Sequence, residues 1–350
     1  MKENRISSVK KYYEELNILR GLIIVWVVIG HSFSSDNTIL GFLNSYAYSF
    51  HMSAFFALSG LLFYGKIKKI KTLKDVGNTI WDRFKRLIVP YLFFTFISYV
   101  LKYFLESYAN NELSNHIFLD TLLGTNNPNG GIWFLHSLFI LSVVAVLVYK
   151  IPTAAILIIT LILKITVSIL DFSIPIVTSF CEYSVFFFAG IFISKYYDNI
   201  SCYLRKVCEN VKKKRVLIIC SVLSLIISFA LTYYLKLYNE NTHKLILFVL
   251  TIFNIVVWYF AAYSLSTTQK AKKAPALFGK YGMDIYMFGY YVQIAIRVVL
   301  GTMLGVPYVL YSLLMCVLGL LLPIPISKYI VRKIKLAKML MLGEFTKKDK

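Results

Sequence analysis

The sequence predicts an all-α, polytopic membrane protein of about ten transmembrane helices, with both termini cytoplasmic. Three observations carry that reading. Of 350 residues, 58% are hydrophobic and only 16% charged, against roughly half and a quarter in soluble domains. Apolar runs of about twenty residues recur, each long enough to cross a ~30 Å hydrocarbon core as a helix. The cations are also segregated. With the N-terminus inside, 33 of the 38 Lys and Arg fall in 1–20, 65–86, 150, 195–215, 267–280 and 328–350. Only Lys102, Lys164, Lys236, Lys244 and Arg297 fall near outer ends, the asymmetry that orients membrane helices. The net charge of +21 is therefore topogenic and faces anionic lipid, which argues against a nucleic-acid partner.

The first run, 16–35, contains RGLIIVWVVIGH (20–31). The following run begins almost at once and no small-residue cleavage site intervenes, so this is an uncleaved helix rather than a signal peptide. Eleven helical steps set His31 about 16 Å from Arg20, at mid-membrane if Arg20 lies at the inner boundary. The second run, 41–64, returns, and His51 lies ten residues in, about 15 Å deep from the outer side. Two antiparallel neighbours thus place two imidazoles at similar depth. Ser59 and Gly60 follow in SGLLFYG, small residues suited to close approach of helices or a slender ligand. The basic inner loop 65–86 ends in Arg83 and Arg86, at i, i+3 on one helical face. Pro90 then opens the third run, 87–106, where a first-turn proline costs little.

The outer loop 107–131 ends in GTNNPNGG, strong turn chemistry. The fourth run, 132–149, opens with Trp133 and His136 at the outer face. The fifth is 151–170, and the sixth, 176–195, carries Glu182 about six residues in. Of the runs 216–238 and 245–266, only the first holds a charge, Lys236 near its outer end. The ninth, 281–303, has Asp284 near its inner end, expected to pair with a neighbouring lysine. After the tenth, 307–327, a basic tail is expected to lie on the membrane as an amphipathic helix. No internal repeat is visible, so 1–350 reads as one domain, with a core of about 14–330 and a cytoplasmic tail, 331–350. Five scattered cysteines without CxxC spacing indicate neither a disulfide framework nor a metal site.

Ionisable residues inside spans mark pathways, relays or active sites. Each has a plainer reading beside it. A histidine can simply bridge helices, boundary arginines can be topogenic and snorkel, and Ser59 and Gly60 can serve packing. Trp133 can be an interfacial anchor, and Glu182 needs only a partner.

The motifs ELNILRGLIIVWVVIGH, FHMSAFFALSGLLF, RFKRLIVPYLFF, WFL (133–135) and GKYGMDIYMF occur in this order along the chain. Together they resemble the acyltransferase-3 family of integral membrane acyltransferases, many of which O-acetylate bacterial surface glycans. The resemblance implies a catalytic histidine at His31, with Arg20, Arg83 and Arg86 on the acyl-CoA donor. Family members often have a histidine shortly after the ninth-span Ile-Tyr, where this chain has Gly289, and His136 after WFL is not a family feature. Many relatives carry a fused extracytoplasmic hydrolase-like domain, whereas here the membrane domain is expected to complete the transfer itself or hand on to a separate partner.

The expected function is an O-acyltransferase of the bacterial cell membrane. It moves an acyl group, most simply acetyl from acetyl-CoA, to a hydroxyl of a surface or lipid-linked glycan. His31 is the general base, His51 a second catalytic candidate, and His51 and Ser59 candidate oxyanion donors. Trp133 and Glu182 are candidate acceptor-side residues, and no metal is expected. The competing class is a transporter or flippase of a glycan or its lipid-linked precursor, which intramembrane histidines and a carboxylate would also suit.

Overall fold

The computed structural model describes residues 13–34, 39–104, 117–123, 125, 127–170, 175–238 and 244–345. Among these there is no strand. The chain runs through α1 (Glu14–Ser32), α2 (Ile39–Tyr48), α3 (His51–Ile67) and α4 (Leu73–Arg83). A π-helical turn (Phe84–Ile88) leads into α5 (Val89–Phe104), followed by short α6 (Ile117–Leu123), α7 (Trp133–Leu147), α8 (Thr153–Leu170) and α9 (Pro175–Ser194). Then come α10 (Tyr197–Glu209), α11 (Val211–Tyr238), α12 (Lys244–Ser266), α13 (Lys273–Lys280) and α14 (Gly282–Ile296). A second π-helical turn (Arg297–Met303) precedes α15 (Tyr308–Leu321), α16 (Pro323–Tyr329) and α17 (Lys335–Leu342). Eight helical stretches are long and apolar enough to cross a membrane, and two shorter apolar helices, Trp133–Leu147 and Thr153–Ile169, stand at the fourth and fifth expected runs. Residues 107–116, 124 and 126 of the outer loop expected at 107–131 lie outside the described residues.

Helix α1 is the hub. Two thirds of its apolar window (67%) is buried, against 17% for α11, so α1 is wrapped by other helices while α11 faces lipid. It packs against α2, α3, α12, α13, α14 and α15. Small residues permit the tightest crossings. A Cβ on Gly60 would stand 1.9 Å from the carbonyl oxygen of Phe187, and one on Gly190 would stand 2.0 Å from that of Ala57. Helices α3 and α9 therefore touch backbone to backbone, as small-residue pairs allow in membranes. Gly60 thus has a packing role.

The second span differs from the single helix expected. It breaks at Ser49–Phe50, between α2 and α3. Backbone groups freed at membrane depth must be bonded again within the protein, and here the Thr251 hydroxyl lies 2.8 Å from the Ser49 carbonyl, sharing its one proton between that oxygen and the Leu247 carbonyl of its own helix, also at 2.8 Å. Behind it runs a directional chain. Trp258 Nε1 donates to the Tyr46 hydroxyl (3.0 Å), which reaches Ser228 (2.6 Å). Ser228 donates to Asn254 Oδ1 (2.7 Å), and Asn254 Nδ2 donates to Ser49 Oγ (3.0 Å). Ser49 Oγ closes the chain on the Tyr46 carbonyl at 2.7 Å. Partners on α11 and α12 thus hold open a break that local sequence does not announce.

The π-helical turn before α5 has a local cause. Pro90 has no N–H to donate to the carbonyl four residues back, at Arg86, and its ring crowds that carbonyl. The helix accommodates this by widening one turn. At the other end of this region, Thr72 and Asp75 start α4 with a reciprocal capping box.

Candidate active site

His31 occupies the last turn of α1, where α1, α2 and α14 meet. Its ring lies edge-on to Tyr48 and to Tyr290, each with centroids 6.2 Å away. Beside it is a narrow cavity of about 10 Å³, room for about one water molecule, lined by Tyr286, Gly289, Tyr290, Gln293 and Gly131 among others.

The turn that carries His31 is clamped from two sides. Gln293, from α14, donates Nε2 to the Val28 carbonyl (2.9 Å) and to Ser32 Oγ (2.8 Å). Asn44, from α2, donates Nδ2 to the carbonyls of Gly30 (2.7 Å) and Phe33 (2.6 Å). Carbonyls 30 and 33 belong to a helix end that has no further turn to supply donors. Both amides are buried, so the clamp fixes the rotation of His31 about the α1 axis. Sequence reasoning missed both residues. A lone Gln or Asn inside an apolar run was the available signal.

The glycines explain how Gln293 gets there. A Cβ on Gly319 would meet the Gln293 side chain at 2.9 Å, and one on Gly289 would meet the Gly319 carbonyl oxygen at 2.8 Å. Any larger residue at 289, the family's histidine included, would push α15 away from α14. The departure noted at Gly289 is thus a packing choice that lets Gln293 cross Gly319 to reach α1.

His51 opens α3 and is almost fully buried. Its Nδ1 lies 2.5 Å from the Ala47 carbonyl. A carbonyl only accepts, so Nδ1 carries the proton, and a neutral ring then presents Nε2 as an acceptor. This differs from the oxyanion-donor role expected for His51. The Tyr48 ring is 5.1 Å from His51 and stands against His31 as well. Tyr48 is therefore shared by both imidazoles, which the expected matching depth implied without naming what joins them. Ser59 lies eight residues along regular α3 from His51, about 12 Å away along the axis. It is not brought to the cavity.

On the opposite side from the basic loops, the turn-rich loop caps the cavity. Asn127 Nδ2 donates to the hydroxyl of Tyr91 (3.0 Å) and to Thr95 (3.1 Å), and Asn129 Nδ2 donates to the Tyr291 hydroxyl (3.0 Å). Asn129 Oδ1 accepts from Gly131 N at 3.0 Å, and the Tyr286 hydroxyl donates to the Gly131 carbonyl. Trp133 starts α7 just beyond, its ring 5.4 Å from Tyr183 and 6.3 Å from Phe56. Glu182 pairs with Lys164 at 3.5 Å. His136 stacks on Tyr91 at 5.3 Å.

At the basic end the three arginines part company. Arg20 runs alongside Gly282, at the start of α14, where an added Cβ would meet Arg20 Cδ at 3.3 Å. Arg83 lays its guanidinium on the face of Phe63, 3.9 Å from the centroid. Its Nε is the one buried side-chain nitrogen or oxygen without a hydrogen-bond partner among the described residues. Such an orphan donor asks for an acceptor from outside the chain. Arg86, within the π turn, takes partners of its own. Its Nη1 donates to the Leu342 carbonyl (2.6 Å) and to Glu344 (3.2 Å).

The tail that receives Arg86 is folded back onto the protein, and α17 packs on α5 rather than lying free on a membrane surface. Gly343, at φ +60°, turns the chain there, with an added Cβ only 2.4 Å from the Lys85 carbonyl. Glu344 binds Arg332 as well (3.0 and 3.2 Å), and Arg332 forks onto Asp284 at 2.9 and 3.0 Å. Asp284 therefore pairs with an arginine, not the expected lysine, and also accepts from Ser327. Burial works against ionising Glu344, but Arg86 and Arg332 outweigh it and hold its carboxyl below the ordinary value.

Residues 13–328 match the family model described as an acyltransferase domain, Acyl_transf_3. The chain belongs to the acyltransferase-3 family. That makes it a multi-pass membrane acyltransferase, and the resemblance read from five short motifs extends over nearly the whole chain. Neither the curated proteins nor the solved structures contain a match.

Proposed function

We propose that the protein is an O-acyltransferase of the plasma membrane. It takes an acyl group, most simply acetyl, from acyl-CoA at its basic, cytoplasmic end and places it on a hydroxyl of a surface or lipid-linked glycan. The observation that carries this is His31, held by Gln293 and Asn44 at a cavity wall between two tyrosines. The donor's phosphates suit Arg83, whose buried Nε lacks a partner, and Arg20 beside it in role. The pantetheine arm would carry the thioester inward to the depth of His31.

There His31 accepts the proton of the acceptor hydroxyl as its oxygen attacks the thioester carbonyl. The tetrahedral oxyanion collapses, the C–S bond breaks, and the imidazolium returns the proton to the departing thiolate. Tyr290, which faces the cavity, is the candidate oxyanion donor. His51 offers a lone pair at Nε2 and belongs to proton handling. Ser59 takes no part.

The transporter reading draws on the broken second span, a device transporters use. It gives the Arg83 orphan no occupant and does not use the family's acyl-transfer chemistry. The test deletes the gene in the native host and restores it as wild type or His31→Ala at equal membrane abundance. Base-releasable acyl groups on isolated surface glycans are then measured. Loss in the deletion and in His31→Ala, with export intact, supports the proposal. Full acylation by His31→Ala removes the catalytic assignment, and glycan trapped inside the deletion strain transfers the case to transport.

A further inference from the structure

A pocket of about 390 Å³ opens at the basic end of the bundle, between the last turns of α3, α7 and α9 and the first turn of α8. Its volume is in the range of small-molecule sites, ~300–1,000 Å³. The charged groups on its wall are three lysines, Lys68, Lys150 and Lys195, and no carboxylate stands among them. Each follows the C-terminus of its own helix, where a cation offsets the helix dipole. That accounts for one lysine at a time, not for three on one wall. Among the described residues no ion pair involves any of them. Lys68 and Lys150 have the rings of Tyr64 and Tyr149 for company, with Nζ 6.0 and 5.8 Å from the centroids.

The first turn of α8 adds donors. Pro152 precedes Thr153 and has no side-chain acceptor, so the N–H groups of residues 153–155 have neither an intrahelical partner nor a cap. Ile156 N, bonded to the Pro152 carbonyl at 3.2 Å, is the first to enter the helix ladder. Thr153 is only 8% exposed, and its hydroxyl makes no hydrogen bond among the described residues. Unlike the sealed Arg83 Nε, it opens onto the pocket that it lines. A helix start, a hydroxyl and three ammonium groups together call for an oxyanion with several acceptors, and phosphate has that chemistry.

The surroundings select what carries the phosphate. The same wall includes the buried Ile67, Ile156, Phe188 and Ile191. Helix α8 packs chiefly on α9, and along its length it exposes Ile158, Ile159 and Ile162. A hydrated anion gains nothing from such a lining, whereas acyl chains can follow it. Arg20, Arg83 and Arg86, the candidates for the acyl-CoA phosphates, are absent from the wall. We propose that this pocket holds the phosphate of an anionic glycerophospholipid, with its acyl chains laid along α8 and α9. The inference goes beyond the acyl-transfer reading and does not depend on it.

For the test, the full-length protein is reconstituted in phosphatidylcholine vesicles doped with photoactivatable phosphatidylglycerol or with a photoactivatable phosphatidylcholine. Labelled peptides are mapped by mass spectrometry. The phosphatidylglycerol probe is expected to label residues 145–156 and 188–195, which line the pocket, several-fold more than the phosphatidylcholine probe does. Unlabelled phosphatidylglycerol competes, whereas inorganic phosphate and coenzyme A do not. Joint Lys68→Gln, Lys150→Gln and Lys195→Gln substitution lowers the labelling several-fold, and Thr153→Val lowers it where Thr153→Ser does not. The same change at Lys206, Lys212 and Lys213, exposed on α10 and α11, leaves it intact. Where the triple variant fails to accumulate, Lys150→Gln alone replaces it. Equal labelling by the two probes, or labelling unchanged in the lysine or Thr153→Val variants, overturns the proposal. So does an equal loss in the control triplet, since the charge is then topogenic only. Competition by inorganic phosphate or coenzyme A in place of lipid assigns the pocket to a soluble phosphate and overturns it too.

Discussion

Replacing Gln293 with leucine tests whether the clamp on α1 serves catalysis or only packing. The substitution keeps the volume while removing two hydrogen bonds, to Val28 O and Ser32 Oγ. Each is worth about 0.6 kcal/mol by membrane-protein measurements and about 1.5 at the upper end elsewhere. The pair thus contributes roughly 1–3 kcal/mol. Little extra penalty follows, because Ser32 Oγ still donates to the Val28 carbonyl at 2.7 Å and leaves neither group stranded. The effect on rate should exceed what that modest loss suggests. The lost bonds fix the turn that carries His31, and a displacement of about 1 Å at a reacting group costs on the order of 100-fold. Gln293→Leu should therefore lower kcat for transfer from radiolabelled acetyl-CoA in membrane vesicles by about 10- to 100-fold. The KM for the donor should hold, and the thermal midpoint in detergent should drop by only a few degrees. Normal kcat with lowered thermal stability would refute the argument, leaving Gln293 a packing residue.

Three further outcomes are expected. Arg83→Met should raise the donor KM about tenfold with kcat preserved, and Arg83→Lys should not restore it, because an ammonium lacks the planar fork that lies on Phe63; equal KM values for wild type and Arg83→Met would count against a phosphate at this position. Glu344 has a lowered folded-state pKa, so its contribution to holding the tail is complete above the ordinary carboxylate value and is lost as pH falls through the folded one. Proteolytic cutting of the tail should accordingly accelerate only on acidification below that ordinary value in wild type, and should be fast at neutral pH in Glu344→Gln; a tail equally resistant in both removes the latch. Gly60→Val should fail to accumulate in the membrane, since even its Cβ would stand 1.9 Å from the Phe187 carbonyl oxygen; a wild-type level on an immunoblot would mean that α3 and α9 can separate at little cost.

The apolar helices, eight long enough to cross a membrane and two shorter among the described residues, were legible because length and hydropathy are properties of each segment alone. The helical rise from Arg20 to His31 was legible for the same reason, since α1 is an uninterrupted helix from Glu14 to Ser32. What escaped depends on partners far away in the chain. Nothing in YAYSFHM marks a break at Ser49, because the groups that satisfy it are Thr251 and Asn254, some two hundred residues on. That Arg86 would be taken up by Leu342 and Glu344 while the Arg83 Nε is left without a partner also depends on residues far along the chain. Asn44 and Gln293 read as stray polar residues, and only the assembled bundle shows both aimed at carbonyls around His31.

The bond between Arg86 and Glu344 joins residues 258 apart. At ~5–20 residues per second, the ribosome needs about 13–50 s to supply the second partner after the first. Throughout that interval the third span is already threaded, and its arginine rests at the membrane edge, where anionic lipid headgroups are the available counter-charge. Release from lipid to protein therefore waits until every crossing has been made. The order of synthesis gives the young protein two successive electrostatic lives, and a ribosome stalled before Glu344 holds it in the first.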